Sequence, residues 1–118
     1  TIDMACTATG QAYLAALDPA AREDLCARLA DHHGDDWPPL QAAIERAVDA
    51  VAANGFCLVD KTWRQNIRGI AAPLVSRDGR LRLSINCVSQ TFAMDRETLI
   101  GEWGPALAAL AQGLSDHL

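Results

Sequence analysis

Between Asn66 and Gln90 the chain reads N-I-R-G-I-A-A-P-L-V-S-R-D-G-R-L-R-L-S-I-N-C-V-S-Q, with a period of two on both sides of Arg77-Asp78-Gly79-Arg80. That pattern predicts a β-hairpin, and Asp-Gly suits its turn because both residues tolerate positive φ. Pairing Arg77 with Arg80 sets Leu74 opposite Leu83, Ala72 opposite Ile85 and Ile70 opposite Cys87, which makes one face uniformly apolar and assigns it to a core. The other face carries Gly69, Ala71 and Pro73 against Ser84, Asn86 and Val88, mostly small residues with two hydrogen-bonding groups. A two-residue turn would set Pro73 at a hydrogen-bonded pair, where its missing N–H is a defect. A four-residue loop from Arg77 to Arg80 keeps the register and turns that gap outward. The small-residue face is then either covered by another element or floors a ligand pocket.

Helical spacing dominates elsewhere. Thr7 suits the N-cap of an Ala-rich helix with Tyr13, Leu14 and Leu17 on one side. Asp18-Pro19 restarts a helix that carries Leu25, Cys26 and Leu29 inward to about Ala30, and His32-His33-Gly34-Asp35-Asp36 is expected to be a polar break. A third helix is expected from near Asp36, with Pro38 and Pro39 in its first turn and Leu40, Ile44, Ala47, Val48 and Val51 buried, until Asn54-Gly55 stops it. Phe56 to Val59 reads as a short strand and Asp60 to Gln65 as a loop holding Trp63. A last helix, capped by Asp95, runs through Leu99, Trp103, Leu107, Leu110 and Leu114, with Gly104-Pro105 set to kink or interrupt it. The order is helix, helix, helix, three strands, helix, an α+β arrangement. Three strands leave the pocket side of a sheet thinly covered, so further strands are expected upstream of Thr1.

Composition narrows the function more than the fold. At 118 residues the chain is one domain. A net charge of −5 disfavours contact with a phosphate backbone. No apolar run reaches the roughly 18 to 20 residues of a membrane span. Cys6, Cys26, Cys57 and Cys87 are scattered without a C-x-x-C, which fits reduced, cytoplasmic thiols better than zinc or a redox pair. His32 and His33 beside Asp35 and Asp36 resemble a metal set only superficially, since adjacent side chains diverge. Cys87 falls on the core side and lacks the neighbouring positive charge that activates a thiol. No nucleotide-binding, zinc-hydrolase or nucleophile-elbow motif occurs, so no catalytic residue, metal or cofactor is expected. Two places retain candidate chemistry. The helix start at Thr7-Ala8-Thr9-Gly10 could receive a carboxylate, and Ser84 with Asn86 could hydrogen-bond a ligand whose carbon skeleton meets Val59 and Val88.

Four segments in order, T-A-T-G-Q-A-Y-L-A-A-L at 7–17, N-G-F-C-L-V-D at 54–60, R-G-I-A-A-P-L-V at 68–75 and L-S-I-N-C-V-S at 83–89, resemble the effector-binding domain of IclR-type transcriptional regulators. The resemblance implies a GAF-like domain whose antiparallel sheet binds a small organic acid. By motif, the ligand positions it implies are Ala8, Thr9 and Gly10, Val59 or its neighbour Asp60, and Gly69, Asn86 and Val88. Many family members carry Cys at the position of Gly69 and Ser at those of Asn86 and Val88, so the expected pocket is roomier and less polar. The T-W-R-Q segment and Pro105 look most like the branch that senses aromatic catabolites. The resemblance further implies residues 1–118 to be the C-terminal two-thirds of the effector domain, a homo-oligomer, and DNA binding only through a helix-turn-helix outside this chain.

Overall fold

The hairpin forms in the predicted register. In a computed structural model, which describes residues 5–60, 67–90 and 94–118, β2 (Ile67–Val75) and β3 (Arg82–Gln90) pair antiparallel with Leu74 opposite Leu83, Ala72 opposite Ile85 and Ile70 opposite Cys87. The Ser76 N–H donates to the Leu81 carbonyl at 2.9 Å, closing a four-residue loop from Arg77 to Arg80 in which Gly79 has φ 72°. Hydrogen-bonded and open pairs alternate from there, so Pro73 falls at an open pair and its missing N–H costs no bond to β3. β1 (Cys57–Asp60), one residue later than the sequence pattern suggests, pairs with β2 to complete the order β1-β2-β3.

Each face of this sheet is covered by helices. On the apolar face Ile70, Ala72 and Leu74 pack with Phe56, Leu99, Leu107 and Ala111. That covering begins with α4 (Arg96–Thr98), whose N-cap Asp95 accepts from the Thr98 N–H at 2.7 Å, and continues through a π-helical turn (Leu99–Trp103) into α5 (Gly104–Ser115). The wide turn sits where Pro105 removes a donor and its ring would crowd the preceding carbonyl. It also rotates the residues after it. Leu99, Gly104, Leu107 and Ala111 point inward, whereas Trp103, Leu110 and Leu114 are exposed, so the apolar residues expected along this helix do not share one side.

On the small-residue face lies α1 (Ala8–Ala16). Ala8 and Ala12 pack on Ala71, Cys57 and Val59, while Leu14 meets Ile44 on the outer side. Small side chains on helix and sheet let the two backbones approach closely, and for that reason α1 is buried on nearly all sides rather than along one stripe. Gln11, 2 % exposed, is satisfied by donating from Nε2 to the Ala5 carbonyl at 2.9 Å. α3 (Trp37–Asn54) covers α1 and β1 through Ile44 and Ala47 and ends at Gly55, φ 85°. Leu40, Val48 and Val51 are only partly buried. α2 (Pro19–His33) lies outermost, with Leu25, Cys26 and Leu29 partly packed and no residue fully buried. It runs through His32 and His33, which the sequence pattern assigns to a loop; only 34–36 form a separate 3₁₀ turn, and His33 stacks on Trp37. Trp63 and the rest of 61–66 lie outside the described residues.

Candidate ligand pocket between the first helix and the hairpin

Covering the small-residue face with α1 leaves its margin open. Because side chains alternate, Val59 of β1, Ile67 and Gly69 of β2, and Asn86 and Val88 of β3 all point to the α1 side, where they meet Thr7, Ala8 and Thr9 around a cavity of about 80 Å³. Six of the eight residues singled out from the sequence, Ala8, Thr9, Val59, Gly69, Asn86 and Val88, therefore line one space. Gly10 is one step further along and lines an adjoining groove of about 430 Å³ with Tyr13, Arg82, Leu83 and Ser84; Thr7 and Thr9 are common to both.

Asp60 does not join them. It stands on the opposite face of β1, where its Oδ1 receives Arg68 Nε at 2.8 Å and Arg96 Nε lies 3.9 Å from Oδ2. Arg68 also donates to the Met94 carbonyl at 3.2 Å. This carboxylate, the one group on the Val59 strand that could act as an acid or base on a ligand, is spent on tying β1 and β2 to the approach of the last helix.

The start of α1 supplies the polar end of the cavity. Thr7 Oγ1 accepts from the Gly10 N–H at 3.2 Å and the Thr7 carbonyl accepts from Gln11, so the N–H groups of Ala8 and Thr9 are left without partners inside the helix. Those donors and the helix dipole favour an anion there, by about 0.3–1 kcal/mol for the dipole alone at an exposed end. Cys57 Sγ donates to the Ala8 carbonyl across 3.7 Å and holds the same turn to β1; burial pushes this thiol up to about 12, which removes it as a nucleophile near neutral pH. Cys87 packs with the apolar core as its register requires. Gly69 sets the size of the cavity. A Cβ there would lie 3.5 Å from Ala8 Cβ and 3.6 Å from Val88 Cγ2, ordinary contact, so any longer side chain would take up ligand space.

Ile67 and Arg82 are wall residues that the sequence pattern was not used to select, although the signal for both was present: each continues the alternate-residue face by one step, from Gly69 and from Ser84. Among the described residues no group of three His, Cys, Asp or Glu is arranged to hold a metal ion.

The sequence matches the family described as the bacterial transcriptional regulator IclR C-terminal domain over residues 1–116. The chain belongs to this IclR family. Its fold agrees with that of an IclR-family transcriptional regulator from Brucella abortus, TM-score 0.91 at 26 % identity over 99 % of this chain and 44 % of that one. A Pca regulon regulatory protein of Pseudomonas putida is 28 % identical over 96 % of this chain and 39 % of its own length. The inducer-binding domain of PobR from Acinetobacter, solved as a double mutant in complex with 3-hydroxybenzoic acid, shares the fold at TM-score 0.74 and 23 % identity, over 99 % of this chain and 67 % of that one. The IclR chain thus spans less than half the length of the Pseudomonas and Brucella relatives, which are transcriptional regulators. Its mixed architecture, helices on a three-stranded antiparallel sheet, is the one expected of the family. No helix among the described residues is long and apolar enough to cross a membrane.

Proposed function

We propose that this IclR domain senses a small organic acid, aromatic in character, for a cytoplasmic bacterial transcription regulator. The observation that carries this reading is the convergence of Ala8 and Thr9, Val59, Gly69, and Asn86 with Val88 from four separate segments onto one cavity. The carboxylate would meet the α1 start, the ring would lie over Gly69 and Val88, and Asn86 would hydrogen-bond a ring substituent. The 3-hydroxybenzoic acid complex of the PobR domain supports the aromatic class. Ligand binding would favour one arrangement of subunits over another and so change the DNA affinity of residues outside this chain, whose own charge of −5 is unsuited to DNA.

A second reading, an oligomerisation module that binds no ligand, is favoured by the small size of the cavity and by the exposed Trp103, Leu110 and Leu114. Calorimetric titration with benzoate, 3-hydroxybenzoate and 3-phenylpropionate separates the two. Saturable binding that Asn86→Leu weakens by about tenfold or more, with the fold intact by circular dichroism, supports sensing; the lost hydrogen bond sets that scale. Absence of binding by every acid favours the module.

A further inference from the structure

The cavity, about 80 Å³, is well below the roughly 300–1,000 Å³ of ordinary ligand sites. A ligand seated at Asn86 therefore has to extend into the adjoining groove, because Thr7 and Thr9 wall both spaces. Along β3 the exit leads from Asn86 to Ser84, about 7 Å away on the same face, and to Arg82 about 7 Å beyond. These two residues share a peculiarity. Ser84 Oγ and Arg82 Nε are closed off from solvent and have no hydrogen-bond partner among the described residues. Two unmet donors two residues apart carry a standing cost that an entering acceptor would relieve. Among the described residues Arg82 has one ionic contact, Nη2 to Asp18 Oδ1 at 3.4 Å, and Asp18 is itself three-quarters exposed. Such a surface pair is weak and exchangeable.

Resting on the reading of the pocket as an acid site, we propose that Arg82 and Ser84 form a second polar subsite that takes a carboxylate on the far end of the ligand, so that the domain prefers elongated dicarboxylates to monocarboxylates. Asp18 occupies Arg82 until such a ligand displaces it. Arg82 then fixes specificity, while the α1 start and Asn86 hold the first acid group.

The test titrates the full 118-residue chain with two matched pairs, benzoate against terephthalate and 3-phenylpropionate against 3-(4-carboxyphenyl)propionate. The dicarboxylate of at least one pair should bind about tenfold tighter or better, the scale of one charge-assisted hydrogen bond. Arg82→Gln should erase that advantage by weakening the dicarboxylate far more than the monocarboxylate, whereas Asp18→Asn should enlarge it by removing the competitor. Monocarboxylate binding with no dicarboxylate preference, or a preference that survives Arg82→Gln, overturns the subsite and leaves the pocket standing. Dicarboxylate binding that depends on Arg82 but survives Asn86→Leu keeps the subsite and overturns the pocket reading. If none of the four acids binds, both fall.

Discussion

Cys57 joins two parts of the fold through one atom, since its thiol closes the gap between β1 and the first turn of α1. Burial raises it from the ordinary 9.0 to about 12, and the folded state therefore holds this proton more tightly than the unfolded one. Its contribution is fully present below about pH 9 and is lost as pH rises toward 12, on the order of 4 kcal/mol at 1.36 kcal/mol per unit. Urea denaturation between about pH 8 and 11 should show the wild-type chain losing stability more steeply than Cys57→Ala; equal slopes would count against a titrating buried thiol. At this scale the sequence was legible wherever alternation decides a side chain's direction. Gly69, Asn86 and Val88 follow from the hairpin register alone. Asp60 does not share their side, because β1 turns it to the face where Arg68 stands opposite it in the ladder. The family motif allows either Val59 or its neighbour Asp60, and strand parity sets Val59 on the cavity side.

At the scale of elements, the last helix shows how much a periodic pattern leaves out. Asp95, Leu99 and the interruption near Pro105 are readable, but a π-helical turn adds a residue to one turn and swings the rest of the helix about its axis. No count of apolar spacing reveals that rotation. The result is fixed by Gly104, whose missing side chain admits the ring of Phe56; a Cβ there would clash with the Cζ edge of that ring. Gly104→Ala should destabilise the fold by about 1–3 kcal/mol through overpacking. Gly101→Ala, three residues earlier with nothing within 4 Å, should be neutral or stabilising by up to about 1 kcal/mol through helix propensity. Urea midpoints of the two variants check both signs. For α1 the sequence pattern places the cap but not the setting. Tyr13, Leu14 and Leu17 suggest a one-sided helix, whereas Ala8, Gly10 and Ala12 bury as thoroughly as Leu14 because their smallness is what permits contact with the sheet.

For the whole molecule, the rotation in the last helix leaves Trp103, Leu110 and Leu114 outward along an element with no charged residue from 103 to 115. An uncharged apolar stripe matches its own copy across a two-fold axis, and we infer self-association through it. Light scattering should show the wild-type chain associating and Leu110→Asp shifting it toward monomer with unchanged circular dichroism. A monomer in both overturns the inference. The layered architecture also has a consequence in time. α1 rests on Ala71, Cys57 and Val59, is covered by Ile44 and Ala47 of α3, and its start faces Asn86 and Val88, so these partners come about 30 to 80 residues later in the chain. Helix formation is quick, but these long loops must close before α1 has a surface to lie on. α1, made before the elements it rests on, is thus secured late, and the ligand-facing margin assembles only when the hairpin is in place.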